Sequence, residues 1–290
     1  MADTTASAFV APRRGPLPFV ALVNRILLWV AFLILSVACV YPMIWLFLNA
    51  FKTTNDMFAA TWALPEVWHW ENFSTAWNYG ISRYLLNSLI VTTATVTIEL
   101  GLATMAAYAL VVLDFRFKAA IYMAILGGAI LPPEVSLFPL FRVMAATGLY
   151  NTYFALILPN VAFGLPFTTF LIRAYMTGIP SELREAAVMD GAGEWRIFRE
   201  IYAPLCRPVL ASAGLISAMR VWNEFIFALT FVESDSVKTV TIGVMSFAVA
   251  LRADWGVLMA GLALSILPIL ATFLVMQRQF VGGLTSGAVK

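Results

Sequence analysis

The feature that most constrains this 290-residue chain is a series of long stretches almost free of charge, the first being 26 uncharged residues from Ile26 to Phe51. A helix of about 20 apolar residues crosses a hydrocarbon core of ~30 Å, because it satisfies its own backbone hydrogen bonds where no water can. Five further stretches follow: Tyr84 to Leu113, interrupted only by Glu99; Lys118 to Phe138, broken by Pro132, Pro133 and Glu134; Thr152 to Ile172; Val209 to Phe231; and Gly256 to Met276. With 61% hydrophobic and 12% charged residues, against about a quarter charged in ordinary soluble domains, soluble, disordered and fibrous readings are excluded.

The expectation is therefore an all-α polytopic membrane protein of six transmembrane helices. Residues 1–25 form an N-terminal tail, 26–51 the first helix and 52–83 an extracytoplasmic loop. Residues 84–276 form a core of spans two to six, with a cytoplasmic loop at 173–207, and 277–290 a C-terminal tail. The first helix reads as a retained anchor, being longer than the apolar region of about 7–15 residues in a cleaved signal. Pro132 and Pro133 should end the third span in an irregular or interfacial turn, and Pro159, Gly164 and Pro166 should kink the fourth. With the amino end inside, inner segments hold 12 Lys and Arg and outer ones five, so both termini are expected in the cytoplasm of a multi-pass inner-membrane protein. Trp62, Trp68, Trp70 and Trp77 fall in the first outer loop and suit an interfacial aromatic belt, with contact to an external protein as the alternative.

Several chemistries have no foothold. A formal charge of +2 offers no basic face broad enough for nucleic acid. His69 is the only histidine, and Cys39 and Cys206 are far apart in sequence, so no metal site, disulfide framework or Ser/His/Asp catalysis is expected. No G-x-x-x-x-G-K-[S/T] phosphate loop occurs, so any ATP used is bound by a partner.

The 173–207 segment carries ten of the chain's 34 charged residues and must be read from outside the bilayer. Ile179 to Gly191 has the pattern of a short helix: Ser181 can cap it, Glu182 suits the positive end of the dipole, and Gly191 suits the left-handed position after the last turn. The alanines Ala186 and Ala187 leave a shallow face for a partner. A second amphipathic helix is expected from Glu194 to about Tyr202, presenting Trp195, Phe198 and Ile201, with Pro204 and Pro208 closing it. The bland alternative is an amphipathic hairpin lying on headgroups, which should carry more Lys and Trp than alanine. Glu185 could be a solvated helix charge and Asp190 a local turn residue.

Within the spans, Arg220 and Glu224 are one helical turn apart and suggest an i,i+4 ion pair facing the bundle, since an unpaired charge costs about 2.5–3.5 kcal/mol there. Trp222 and Asn223 could form a sugar site, a ring stacking on C–H faces and an amide bonding hydroxyls, or simply pack and bridge helices. Glu99 suggests a polar contact to another helix, with a proton relay as alternative. Asn160, beside Pro159, could cap a break in the fourth span.

The loop also resembles the EAA loop of the inner-membrane permease subunits of binding-protein-dependent ABC importers. Glu185, Ala186, Ala187 and Gly191 match E-A-A-x-x-x-G, and after nine intervening residues Ile201 and Pro204 match I-x-L-P, with Ala203 where leucine is usual. Asp190 to Ala192, Phe198, Trp222-Asn223 and the tail Gln277 to Lys290 are similar to the carbohydrate-uptake branch, the MalG-like permeases. This resemblance covers about residue 20 to the end. It implies the type I importer permease fold and a non-enzymatic transport subunit for a sugar, oligosaccharide or sugar-like polyol phosphate. Its implied partners are a second related permease (a heterodimer), two ABC ATPase subunits that bind ATP and Mg, an extracytoplasmic solute-binding protein or lipoprotein, and membrane lipid. Glu185, Ala186, Ala187, Asp190, Gly191, Phe198, Ile201 and Pro204 would couple to the ATPase, and Asn160, Arg220, Trp222, Asn223 and Glu224 would line the solute pathway. In the family the tail lies near the ATPases; the alternative is a frayed end.

Other readings have discriminators. A polyamine permease should gather carboxylates in its cavity and a phosphonate permease arginines. An intramembrane enzyme needs a nucleophile and base within the bilayer, and a self-sufficient secondary transporter usually needs two repeats in one chain.

Overall fold

The computed structural model describes residues 18–251 and 254–286. All regular elements among them are helical. In chain order they are α1 (Pro18–Asn49), α2 (Thr54–Ala59), α3 (Glu71–Ala76), α4 (Ser82–Val112), α5 (Lys118–Gly127), α6 (Leu137–Ala146), α7 (Tyr153–Met176), α8 (Glu182–Met189), α9 (Glu194–Ile197), α10 (Ala203–Leu205), α11 (Arg207–Trp222), α12 (Ile226–Phe231), α13 (Val240–Leu251) and α14 (Trp255–Ser286). Four stretches are long and apolar enough to cross a membrane, and six if two bent pairs each count as one span. That agrees with the expected all-α, six-span architecture.

The bends fall where the backbone chemistry requires them. Helix α5 and the turn after it meet the Pro133–Ala146 segment at 92°, because Pro132 is held in an extended conformation (φ −65°, ψ 135°) that no helix tolerates. The elbow helices meet α11 at 72°. Helix α7 runs unbroken from Tyr153 to Met176 with the expected Pro159 and Pro166 inside it. Asn160 accordingly caps no break; its amide donates to the Leu156 carbonyl at 2.9 Å within the same helix. The fifth span, expected to be continuous from Val209 to Phe231, is interrupted after Trp222. Backbone N–H groups of Phe227 and Ala228 donate to the Glu224 carboxylate at 2.6 and 3.1 Å, so an acid inside the span starts a new helix, α12. The sixth helix does not stop near Met276 but continues to Ser286, with no proline to end it. The first 17 residues, Arg252, Ala253 and residues 287–290, including the expected Lys290 of the tail, lie outside the described residues.

Helices α4, α7 and α11 form the centre, with α14 against α11. The core divides into three clusters. One joins α3, α4, α13 and α14 around Ile81, Tyr84 and Ala260. A second joins α7 and α12 around Leu156 and Phe231. The third joins the C-terminal ends of α4 and α7 to the elbow of α8, α9 and α10 around Tyr108, Ile172, Met176 and Tyr202. Helix α1 is the exception: residues 21–42 are exposed, and only its last turns, with Trp45, Leu46 and Phe47, lean on the first cluster. After α1, Asn72 ties the end of that helix down by donating to the carbonyls of Ala50 and Lys52 at 3.0 and 2.9 Å. Phe51 stacks edge-on to Trp68 and Trp70, while Trp62, Trp68, Trp70 and Trp77 keep broad exposed faces. Helix α13 was not foreseen; 12 residues are too few to span, so no membrane signal marked it.

Candidate coupling elbow and membrane cavity

Helix α8 is short, and its exposed apolar residues are Leu183, Val188 and Met189, the last 87% exposed. Glu185, Ala186 and Asp190 are exposed and Ala187 is half-buried. The Glu185 side chain makes no hydrogen bond or ion pair among the described residues, so the carboxylate stands available. The expected cap is corrected: Ser181 makes no side-chain cap hydrogen bond, because its own backbone is already helical (φ −66°, ψ −25°) rather than extended. Its carbonyl instead accepts from the N–H groups of Arg184 and Glu185 at 3.0 and 3.1 Å. Gly191 does adopt the left-handed conformation, φ +76°, and a methyl group built there meets nothing within 4 Å. The cost of Gly191→Ala is thus conformational alone, about 1 kcal/mol; thermal unfolding in detergent should register it as a modest loss of stability.

The second elbow helix, expected from Glu194 to about Tyr202, is helical throughout that range and runs on to Leu205. After α9 the chain makes a wide π turn over Phe198–Tyr202 and then α10. Pro204 does not end the helix; it sits in the first turn of α10, and having no N–H for the Glu200 carbonyl it accompanies a widened turn before it. Phe198 and Ile201 are half-buried and pack into the third cluster, as does Ala187, whereas Trp195 remains largely exposed. Two contacts not foreseen hold the elbow. Arg184 of α8 forms a salt bridge with Glu194 of α9. The Tyr108 hydroxyl, at the end of α4, donates to Glu194 Oε2 at 2.6 Å. The Arg184 guanidinium and the Tyr108 hydroxyl together hold the Glu194 carboxyl below the ordinary carboxylate range. The Tyr108 ring meets those of Phe198 and Tyr202 edge-on at 5.2 and 5.1 Å.

Inside the membrane, the expected Arg220–Glu224 pair does not form. Glu224 is engaged by the start of α12, and Arg220 turns instead to Glu99 of α4, Nη2 to Oε2 at 2.7 Å. Glu99 is 1% exposed and is saturated by hydroxyls: Thr168 donates at 2.5 Å and Ser217 at 2.8 Å. Arg220 also donates to the Asn160 side-chain oxygen and backbone carbonyl, both at 3.0 Å. Gly164 makes the approach possible, since a methyl group built there would collide with the Glu99 carboxylate and the Arg220 guanidinium. Glu99 therefore holds the interhelical contact expected of it. A charge-balance argument would have paired the one base of span five with the one acid of span two.

Arg220 of this pair lines an open cavity of about 550 Å³ bounded by the bend after α5, by α7 and by the α11–α12 break. Four of the five expected pathway residues, Asn160, Arg220, Asn223 and Glu224, line it. Trp222 does not: it is 7% exposed and belongs to the first cluster, on the side of a different, mostly apolar cavity with Trp77 and Pro268. Phe163, Phe167 and Phe225, with Glu134, also line the first cavity. Only the fold could assemble them, because they come from three separate segments.

A helical bundle with a largely apolar cavity into which Asn160, Arg220, Asn223 and Glu224 open, and a charged, exposed elbow, has the construction of a membrane transport subunit. Residues 19–284 match the family model of the binding-protein-dependent transport system inner membrane component, and the chain belongs to that family. It is 45% identical over 262 residues to a protein described as a probable ABC transporter permease, YurM of Bacillus subtilis, covering 90% of this chain and 87% of that one. It is 33% identical over 258 residues to the diacetylchitobiose uptake system permease NgcG of Streptomyces coelicolor, covering 88% and 85%. Its fold is similar to a chain in the crystal structure of a bacterial ABC transporter that imports the acidic polysaccharide alginate, with a TM-score of 0.77 at 22% identity, covering 94% of this chain and 100% of that one.

Proposed function

We propose that this chain is the permease subunit of an ATP-driven importer that carries a sugar or oligosaccharide inward. Its elbow would be gripped by a separate ATPase that binds ATP and Mg. The observation that carries the reading is α8: a short helix presenting apolar side chains and an unengaged Glu185 outside the bundle, on the segment that matches the EAA loop. Exposed Leu183, Val188 and Met189 suit a partner's cleft, and Glu185 suits an arginine within it. For the motor to shift the bundle, this grip must be stronger in one ATPase state than in the other.

The cavity supports a polyhydroxylated solute. Asn160 and Asn223 offer amides and Phe163, Phe167 and Phe225 offer apolar ring surfaces, the pairing that suits sugar hydroxyls and C–H faces. Its single arginine is already matched by Glu99, so the cluster of free arginines that a phosphonate would require is not there. The relative NgcG, named for diacetylchitobiose uptake, supports the same class. A second, related permease would close the other side of the cavity, an external binding protein would deliver the solute, and both termini would face the cytoplasm.

Purification of the tagged chain in mild detergent should bring an ABC ATPase with it, and recovery without one would defeat the reading. Uptake by the reconstituted complex, screened across mono- and oligosaccharides and glycerol phosphates, should identify a sugar. Glu185→Lys reverses the charge at the grip and should leave the chain inserted while uncoupling hydrolysis from uptake; normal uptake by that variant would count against the assigned role.

A further inference from the structure

The elbow is fastened to the membrane bundle by one polar chain: Arg184 on α8, Glu194 at the start of α9 and the Tyr108 hydroxyl at the C-terminal end of α4. Glu194 is the shared member, receiving Arg184 on Oε1 and Tyr108 on Oε2. The Arg184 Nε is buried without a hydrogen-bond partner among the described residues. The Tyr108 hydroxyl also lies 3.4 Å from the Glu194 backbone carbonyl. Around this polar chain the junction is apolar, with Tyr108, Ile197 and Tyr202, and apolar surfaces can slide where a directional, charge-assisted bond cannot. Tyr108 also lies on the same uninterrupted helix as Glu99, nine residues or roughly 14 Å further along α4.

We propose that Arg184, Glu194 and Tyr108 form the strut that transmits displacement of α8 to α4, and through α4 to the Glu99–Arg220 pair beside the cavity. This inference rests on the importer reading above and names the residues that connect its two sites. Arg184 and Glu194 keep α8 and α9 moving as one piece, and Tyr108 delivers that motion to a helix stiff enough to carry it. All three are positioning residues: none faces the cavity, and none is Glu185.

Tyr108→Phe retains the ring against Phe198 and Tyr202 and removes only the hydroxyl, while Glu194→Gln retains the size of the side chain and removes the charge. Hydrogen exchange of the full-length chain in lipid nanodiscs should quicken over residues 182–198 in both variants and remain unchanged in α7. Unchanged exchange over 182–198 would overturn the strut whatever the transport data show. In the reconstituted complex, ATP hydrolysis stimulated by the loaded binding protein should persist. Solute carried per ATP should fall about five-fold, the scale of one lost hydrogen bond. A complex that hydrolyses ATP on demand with an unmoved transport ratio in both variants would overturn the strut alone. An unmodified complex in which the loaded binding protein fails to stimulate hydrolysis would overturn the importer reading and the strut with it.

Discussion

Arg220→Met should destabilise the chain by about 3–5 kcal/mol, the cost of leaving a buried carboxylate without its countercharge. Glu99 is 1% exposed, and once Arg220 is gone only the hydroxyls of Thr168 and Ser217 remain to solvate it. The converse change, Glu99→Gln, should be milder. Arg220 is 36% exposed, facing the cavity, and keeps both of its hydrogen bonds to Asn160. Denaturant-induced unfolding in mixed micelles should therefore rank Arg220→Met well below Glu99→Gln. The reverse ranking would mean that the guanidinium, and not the carboxylate, is the group that depends on its partner.

Gly164→Ala is the second large effect expected. The added methyl group would occupy the space now filled by the Glu99 carboxylate and the Arg220 guanidinium, so α4 and α7 must separate or the ion pair must break. Overpacking of this kind costs about 1–3 kcal/mol, and loss of the pair would add to it. Gly101→Ala provides the control, being on α4 with nothing within 4 Å of the built methyl group; alanine's better helix propensity should make it neutral or slightly stabilising. Equal melting temperatures for the two variants would show that the helices do not meet as closely at Gly164 as described.

Spans and elbow were legible in the sequence for different reasons. An uncharged run of some 20 residues has one solution in hydrocarbon, so the spans follow from hydropathy, and Pro132 and Pro133 announce the sharp turn between α5 and α6. The elbow was visible because ten charged residues crowd a stretch between two such runs. The partner of Arg220 was hidden by proximity: Glu224 is one turn away on a helix that was assumed continuous, and an ion pair was the simplest use for it. The structure assigns that carboxylate to the N–H groups of Phe227 and Ala228, a role that exists only because the helix stops, and no residue pattern marked the stop. That Trp222 lies apart from the cavity its neighbour lines was hidden for a related reason. Its neighbour Asn223 faces the cavity, but adjacent helical residues point about 100° apart, and which one faces inward is set by the docking of α11 on α14. Tyr108 and Glu194 lie 86 residues apart, and nothing short of the fold connects them.

Helix α1 differs from every other span in leaning on its own chain only from Tyr41 onward, where that ring stacks on Trp62 at 5.7 Å. The N-terminal two-thirds of that rod, from Ala21 to Val40, is exposed and answers to solubility in lipid rather than to shape, so many sequences of equal greasiness and length would serve there. The turns holding Tyr41, Trp45, Leu46 and Phe47 have no such freedom. Substitutions tolerated in this one helix should thus divide sharply along its length, with drift permitted before Tyr41 and resisted after it.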